Sequence, residues 1–221
     1  MHRQIQLTAD GSHTISIPEL GVTYHSHHGA IQESMHVFLQ AALIPTWKRF
    51  SNDPIRILEI GFGTGLNALL TLREAVAQQR VIHYTAIEKY PLTAEEAGSL
   101  NHGQLLGMND LLGQLHTENW DQLFPIDPFF SLHKINLSLP SPILIEPVHC
   151  IYFDAFAPDI QPALWDQAFF ETLFRLLIPG GYLATYSSKS AVRRALTAAG
   201  FVVHKIPGPF GKREMVRAEK L

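Results

Sequence analysis

The chain has 221 residues, of which 46% are hydrophobic and 17% charged, and its formal net charge is −3 at pH 7. This composition is typical of a globular protein, and the charge argues against general coating of nucleic acid. The single cysteine, Cys150, excludes an internal disulfide framework and a multi-cysteine zinc site, and predicts a reducing, cytoplasmic setting. We expect no signal peptide, and no apolar run reaches the ~18 residues of a membrane span.

The pattern of elements predicts an N-terminal extension, residues 1–50, followed by a main domain, residues 51–221. In the extension, alternating apolar and polar residues on both sides of an Asp-Gly pair predict a β-hairpin. Apolar residues at helical spacing then predict a helix over 31–47, which Pro45 is expected to end.

The main domain alternates strands with helices, the pattern of a parallel sheet with crossover helices. The expected fold is α/β and Rossmann-like, with a seven-stranded, mostly parallel sheet whose last strand is antiparallel. The stretch 108–148 gives one plausible strand, near 131–139, and the Pro-Gly-Gly at 179–181 is expected to cap a helix over 162–177. Other strands are predicted near 55–60, 82–87, 149–154, 182–186, 201–206 and 213–218, and other helices near 65–79, 93–107 and 189–199.

Residues 57–67, Ile-Leu-Glu-Ile-Gly-Phe-Gly-Thr-Gly-Leu-Asn, join the first of these strands to its helix. Glycines at such a bend permit a sharp turn and let a ligand approach the backbone. A dinucleotide loop, G-x-G-x-x-G, would need glycine in place of Leu66. The order E-x-G-x-G-x-G resembles instead motif I of S-adenosylmethionine (SAM) methyltransferases, formed here by Glu59, Gly61, Gly63 and Gly65.

Three acids, Glu59, Glu88 and Asp154, are predicted at carboxyl ends of parallel strands, where open α/β sheets bind ligands. Glu88 is expected to accept both hydroxyls of a ribose; the alternative is a surface acid paired with the adjacent lysine. Glu59 is expected to fix the loop through backbone N–H groups and to reach the methionine amine of the cofactor. Thr64 and Asn67 either satisfy the helix N-terminus or bind the cofactor carboxylate.

The segment Asp154-Ala-Phe-Ala-Pro158 resembles motif IV of amine-modifying enzymes of this fold. Methyl transfer to nitrogen needs a free lone pair in line with the sulfonium methyl, and disposal of one proton. Asp154 is therefore the predicted catalytic residue, holding the amine and stabilising its developing charge, with helix capping as the alternative. Phe156 is expected to pack against the methyl donor or the target base, and Pro158 to shape the loop.

His25, His27 and His28 lie close together in sequence, but without a partner cluster elsewhere they predict loop or substrate contacts and no metal site. Tyr24 and Glu33 flank these histidines and are candidates to reach the cofactor pocket. Ordinary packing and helix capping explain them equally well.

The stretch 189–221 has eight cationic residues and two acidic ones. A basic patch at one end suits a phosphate backbone, and a solvated helix face and tail explains the same charges equally well.

Several blocks of sequence extend the likeness to SAM methyltransferases over nearly the whole chain. They are 24–34, 58–67, 154–158, 161–165, 179–181, 184–187, 191–194 and 211–215. Together they resemble the methyltransferase domain of the bifunctional tRNA 5-methylaminomethyl-2-thiouridine biosynthesis protein.

That resemblance implies SAM-dependent N-methylation of the aminomethyl group on the wobble uridine of tRNA, on an extruded or unstacked base. It implies an amine-positioning role for Asp154. The implied donor site is Glu59, Gly61, Gly63, Thr64, Gly65, Asn67 and Glu88, and the implied tRNA phosphate contacts are Arg193, Arg194, Lys212 and Arg213.

The chain departs from the family pattern in two ways. It has no second glycine-rich loop for the flavin-dependent oxidase domain of the bifunctional protein, so we expect a standalone methyltransferase whose substrate arrives with its amine exposed. The stretch 135–139 also lacks the acid that related enzymes use to bind adenine, so adenine is expected to meet Asn136, Ser138 or backbone.

Three other functions stay open at this point. An aminopropyltransferase of the same fold would need several acids around a polyamine, and only Asp159 and Asp166 lie near Asp154 in sequence. A methyltransferase for a protein or small-molecule amine would not need the cationic cluster. A tRNA-binding module without catalysis would not need an intact glycine loop together with Asp154.

Overall fold

The computed structural model describes residues 2–51 and 54–221, which form a three-stranded sheet, an eight-stranded sheet and the helices around them. The first three strands are antiparallel and confirm the predicted hairpin. Among the described residues, no helix has both the length and the apolar character needed to cross a membrane. These strands are β1 (Gln4–Leu7), β2 (His13–Ile17) and β3 (Val22–Thr23).

A continuous helical stretch follows, formed by α1 (Ala30–Ser34), a π-helical segment (Met35–Leu43) and α2 (Ile44–Arg49). The expectation that Pro45 ends the helix is wrong. The chain stays helical through Pro45, which directly follows the π-helical segment, where the backbone hydrogen-bond pattern already differs from that of an α-helix. The stretch packs directly on strands of the large sheet. The boundary at residue 50 between an N-terminal extension and a main domain stays a prediction.

The large sheet confirms the predicted α/β, mostly parallel architecture. Its strands are β4 (Ile55–Ile60), β5 (Ile82–Glu88), β6 (Gln122–Asp127), β7 (Phe130–Asn136), β8 (Val148–Phe153), β9 (Leu177–Thr185), β10 (Val202–Pro207) and β11 (Glu214–Glu219). Their order is β10-β11-β9-β8-β4-β5-β7-β6. The last strand, β11, runs antiparallel to both of its neighbours, as predicted.

The sheet has eight strands and not the predicted seven. The additional strand is β6, which lies in the stretch 108–148, where the sequence predicts one strand only. It pairs antiparallel with β7 at the edge of the sheet. Its side chains show no clean alternation of burial, and Pro125 lies within it. An edge strand tolerates a proline and an exposed face, so its sequence carries little strand signal.

The predicted helices are mostly confirmed, but the helix expected over 162–177 begins only at Gln167, after a short 3-10 turn (Pro162–Leu164), and three further differences occur. The helix expected over 93–107 is two short helices, an unpredicted helix follows them, and the Pro-Gly-Gly expected to cap a helix lies inside β9. There Leu177 is buried and pairs with Val148, so the chain enters the sheet before the glycines. The helices are α3 (Leu66–Gln78), α4 (Ala94–Gly98), α5 (His102–Leu106), α6 (Asn109–Thr117), α7 (Gln167–Leu176) and α8 (Ser190–Ala198).

Two apolar layers cover the central strands. The N-terminal helical stretch and α3 contribute to one layer, whereas α7 and α8 contribute to the other. Strand β4 lies between β5 and β8, which are both parallel to it, so the carboxyl ends of all three meet at one edge. Open α/β sheets bind their ligands at such an edge.

Candidate active site

A cavity of about 430 Å³ lies at the carboxyl ends of β4, β5 and β8. The N-terminal segment, the glycine loop and the β10–β11 hairpin all contribute to its wall. The predicted site residues that line it are Tyr24, Glu33, Gly61, Gly63, Thr64, Asn67, Glu88, Asp154, Phe156 and Lys212. In the described part of the chain, the others lie outside that lining: Glu59, Gly65, Pro158, Arg193, Arg194 and Arg213.

The glycine loop is held close to its neighbours on both sides. Gly61, Gly63 and Gly65 have φ angles of 93°, 50° and 71°, which side chains rarely adopt. A Cβ atom on Gly61 would lie 2.7 Å from the backbone oxygen of Asp154, and one on Gly63 would lie 3.0 Å from the Tyr24 ring. The loop therefore requires glycine for its conformation and for its packing.

We expect Gly61→Ala to lower the free energy of unfolding by about 1–3 kcal/mol, because it adds backbone strain and a clash with a backbone atom. Urea denaturation measures this change. Alanine at Gly98, which meets no atom within 4 Å and has no positive φ, is the matched control. Equal stability of the two variants would contradict the constraint at Gly61.

Asn67 joins two carboxylates. Its Nδ2 donates to Glu59 Oε1 at 2.8 Å and to Asp154 Oδ2 at 2.9 Å. Glu59 is fully buried, and this burial raises its pKa well above the usual range, although the bond from Asn67 opposes the shift. Among the described residues, Asn67 makes no side-chain cap for α3, and its Oδ1 has no hydrogen-bond partner. Glu59 thus reaches the cavity through Asn67.

Glu88, and not Glu59, accepts the backbone N–H of the loop. Its Oε2 accepts from Gly63 at 3.2 Å, and its Oε1 accepts from the N–H of Tyr90 at 2.8 Å. Within the described chain, Lys89 forms no ion pair, and its ammonium lies 5.0 Å from the Tyr90 ring centroid. Both carboxylate oxygens are oriented by backbone groups and still have lone pairs for two hydroxyl donors.

Asp154 follows β8 directly, and its N–H donates to the carbonyl of Ile60 at 3.0 Å. Burial raises its pKa to about 7, and the negative charge of Glu33 acts in the same direction, whereas the bond from Asn67 and the charge of Lys212 oppose it. Part of its surface stays accessible in the cavity. It is not a helix cap, because Asp166 caps α7 by accepting the N–H of Phe169 at 2.8 Å.

The prediction that the side chains of Asn136 and Ser138 contact adenine is wrong, because neither residue lines the cavity. Both are exposed, and the cavity is lined instead by Leu137 and Leu139. Successive side chains of an extended chain point to opposite faces, so a shift of one residue exchanges the polar pair for the apolar pair.

The histidines near the N-terminus support the loop. His25 Nε2 and Thr64 Oγ1 share a hydrogen bond of 2.8 Å, and burial lowers the pKa of His25 to about 3, so the ring is neutral. His27 and His28 line the cavity. In the ranges 2–51 and 54–221, no group of three or more His, Cys, Asp and Glu side chains is arranged to hold a metal ion.

A second charged pair, Glu33 and Lys212, lines the same cavity as Asp154. Lys212 Nζ donates to Glu33 Oε1 at 2.7 Å and lies 4.4 Å from the centroid of the Tyr186 ring. Tyr186, which sequence reasoning missed, lies just after β9 and donates its hydroxyl proton to the carbonyl of Ala155 at 2.8 Å. The strand-end rule that found Asp154 would also have found Tyr186, because β9 is the parallel neighbour of β8.

Two aromatic residues lie in the cavity wall or next to it: Phe156 lines the cavity, and Phe210 contacts His28, which also lines it. Phe156 packs edge-on against Tyr24 at 5.2 Å between ring centroids, and its carbonyl accepts the indole N–H of Trp165. Phe210, which was also missed, is 74% exposed and packs edge-on against His28 at 5.3 Å. Exposed aromatic rings of this kind can stack on bases.

Most of the cations named here from the C-terminal stretch have partners within the chain and do not form one free basic patch. Lys189, Lys205 and Lys212 form ion pairs with acids of this chain, and Arg193 bonds to Ser188 and Ser190. Pro158 is half-buried in the loop after Asp154. The two predicted phosphate contacts that are exposed, and that form no ion pair with any described residue, are Arg194 and Arg213.

Comparison with known proteins agrees with this site. A family model described as S-adenosyl-L-methionine-dependent methyltransferase matches residues 134–221. The chain is 34% identical over 220 residues to the tRNA 5-methylaminomethyl-2-thiouridine biosynthesis bifunctional protein MnmC of Cupriavidus metallidurans, covering 91% of this chain and 32% of that protein. MnmC of Aromatoleum aromaticum is 31% identical, with coverages of 97% and 35%. The chain thus spans about a third of the length of these relatives.

Solved structures show the same fold. The crystal structure of MNMC2 from Aquifex aeolicus matches with a TM-score of 0.77 and 26% identity, over 99% of this chain and 70% of that one. Spermidine synthase from Thermotoga maritima matches with a TM-score of 0.54 and 15% identity, a likeness of fold alone. The glycine loop, the acids at the strand ends and these comparisons agree: the chain is a Rossmann-like, SAM-dependent methyltransferase, and over nearly its whole length it is similar to about a third of the MnmC proteins.

Proposed function

We propose that this enzyme methylates the primary amine of a 5-aminomethyl group on the wobble uridine of tRNA, giving 5-methylaminomethyl-(2-thio)uridine. The observation that carries the proposal is Asp154, a carboxylate with a pKa of about 7 in the cavity formed at the glycine loop. A group with such a pKa can accept a proton from an amine near neutral pH. The names of the relatives supply the tRNA acceptor.

The cavity residues fit SAM on three observations. Glu88 keeps lone pairs for the ribose hydroxyls, and the buried Asn67 Oδ1, which has no partner among the described residues, can accept from the amine of the methionine part. Leu137 and Leu139 supply apolar surface for the adenine ring. When bound, SAM supplies an electrophilic methyl group on its sulfonium sulfur.

The remaining chemistry belongs to the acceptor and to Asp154. An alkylammonium group has no lone pair, so it must lose one proton before it attacks. Asp154 accepts that proton and holds the amine by a hydrogen bond while the new C–N bond forms and the S–C bond breaks. The product leaves as a secondary ammonium, and Asp154 returns its proton to water.

Three exposed residues support a polynucleotide acceptor. Phe210 and Arg213 lie in the hairpin that also carries Lys212, and Arg194 is in the first turns of α8, which follows β9 at the same edge of the sheet. Positive charge beside an exposed aromatic ring suits a single-stranded nucleic acid.

We expect Arg213→Ala to raise the KM for tRNA without changing the KM for SAM. The slope of log affinity against log salt concentration should fall by about 1, the value for one lost phosphate contact. Salt titration of tRNA binding measures this slope. Arg175→Ala is the control, because Arg175 is an exposed arginine near the end of α7, at the opposite edge of the sheet. Equal slopes in the two variants would remove Arg213 from the tRNA interface.

A panel of acceptors tests the proposed function. Labelled SAM is incubated with the enzyme and either aminomethyl-bearing tRNA, unmodified tRNA, putrescine or lysine-rich peptide. The proposal predicts label only on the aminomethyl-bearing tRNA. Label on a polyamine or a peptide would assign another amine, and SAM binding without any transfer would favour a binding module. The predicted cytoplasmic location agrees with a tRNA acceptor.

A further inference from the structure

Lys212 is the starting point, because its ammonium group occupies a site that fits the amine of an acceptor. The ammonium lies between the carboxylate of Glu33, at 2.7 Å, and the face of the Tyr186 ring, at 4.4 Å. A carboxylate beside an aromatic face is a general arrangement for binding ammonium groups. Glu33, Tyr186 and Lys212 all line the cavity that contains Asp154.

The two partners of this ion pair differ in how firmly they are held. The side chain of Glu33 is 11% exposed, and its Oε2 accepts the backbone N–H of Ser26 at 2.7 Å. The side chain of Lys212 is 36% exposed and extends from the loop between β10 and β11. Lysine has a long, flexible side chain and a strongly hydrated ammonium group. The Lys212 ammonium can therefore move into solvent while the Glu33 carboxylate stays in place.

We propose that Glu33 and the Tyr186 ring bind the ammonium group of the acceptor, and that Lys212 fills this site until the acceptor displaces it. The inference rests on the proposed function for the identity of the acceptor. Exchange of one cation for another keeps the buried Glu33 paired at every stage, whereas an empty site would leave an uncompensated charge. The incoming ammonium then faces Asp154, which takes its proton as described above.

The exchange also gives a reason for the position of Lys212, which pairs with Glu33 inside the cavity. Lys212 was predicted to contact phosphate, yet its ammonium points into the cavity. Once displaced, it lies next to the exposed Arg213, where a phosphate of the same acceptor is expected. Binding of the amine would thus release a second cation for the backbone.

Binding of the nucleoside 5-aminomethyluridine to the enzyme saturated with S-adenosylhomocysteine tests this inference by calorimetry, without turnover. Lys212→Met is expected to bind about tenfold more tightly if Lys212 fills the site in ~90% of molecules, because the competent fraction sets the apparent Kd. Glu33→Gln is expected to bind about tenfold more weakly, since it loses a charged hydrogen bond. Tyr186→Leu should also weaken binding, whereas Tyr186→Phe keeps the ring and should bind like the wild type.

Uridine, which lacks the amine, should bind all variants equally, and equal SAM affinity and thermal unfolding check that each variant is folded. Weaker binding in Lys212→Met, or the same affinity in Glu33→Gln as in the wild type, would overturn the inference and leave the ion pair as a structural clamp. Those results together with methyl transfer to tRNA would leave the proposed function intact. Nucleoside binding with the expected pattern, but without transfer to tRNA, would reject the acceptor and keep the ammonium site.

Discussion

Asp154→Asn is expected to lower the rate of methyl transfer about 10²–10⁴-fold, the usual contribution of a positioned acid or base. Asparagine keeps the size of the side chain and can still contact Asn67, but it cannot accept a proton from the acceptor. The Kd of SAM should stay the same, because the residues assigned to the donor are unchanged. Single-turnover transfer and equilibrium SAM binding separate the two effects.

The pH dependence gives this prediction a second readout. Because burial raises the pKa of Asp154 to about 7, its active, deprotonated form accumulates as pH rises through that value. The wild-type rate should therefore rise up to about pH 7 and then level off, and the residual rate of the variant should lack that step. Asp159→Asn, in the same loop but exposed and paired with Lys189, is the control. Unchanged turnover in Asp154→Asn would remove Asp154 from the mechanism.

Glu88→Ala is expected to raise the Kd of SAM about 10–100-fold, because hydrogen bonds to a charged acceptor contribute about 1.5–3 kcal/mol. The Gly63 N–H also loses its acceptor, which loosens the loop. Turnover at saturating SAM should fall much less, since Glu88 does not contact the acceptor in our assignment. Isothermal calorimetry with SAM measures the effect.

Glu95→Ala is the matched control for Glu88→Ala, because Glu95 is an exposed acid in the first turn of α4. It should bind SAM like the wild type. An unaltered SAM affinity in Glu88→Ala would undo the assignment of Glu88 to the ribose.

The sequence predicts the parts of the site that depend on local chemistry. Glycines that alternate after a buried strand, and acids such as Glu88 and Asp154 at strand ends, follow from rules that act within a few residues. Their neighbours in space then follow from the parallel order of the strands. For this reason the fold, the glycine loop and the main acids were predictable.

Features that depend on distant contacts were not predictable. Lys212 pairs with Glu33 across 179 positions of sequence, and no local pattern specifies that contact. The choice of Leu137 over Asn136 as a cavity residue depends on a register of one residue. Continuation of the helix through Pro45 depends on the unusual π-helical turns before it, which propensity does not reveal.

The central claim is that the methyl group is transferred to the exocyclic amine of the wobble uridine. The most direct measurement is mass spectrometry of nucleosides from aminomethyl-bearing tRNA, after incubation with the enzyme and SAM carrying a trideuterated methyl group. Our account predicts that the aminomethyl nucleoside is converted to its methylaminomethyl form with one trideuterated methyl, and that every other nucleoside is unchanged. Label on a different nucleoside, or none on tRNA while SAM binds normally, would contradict it.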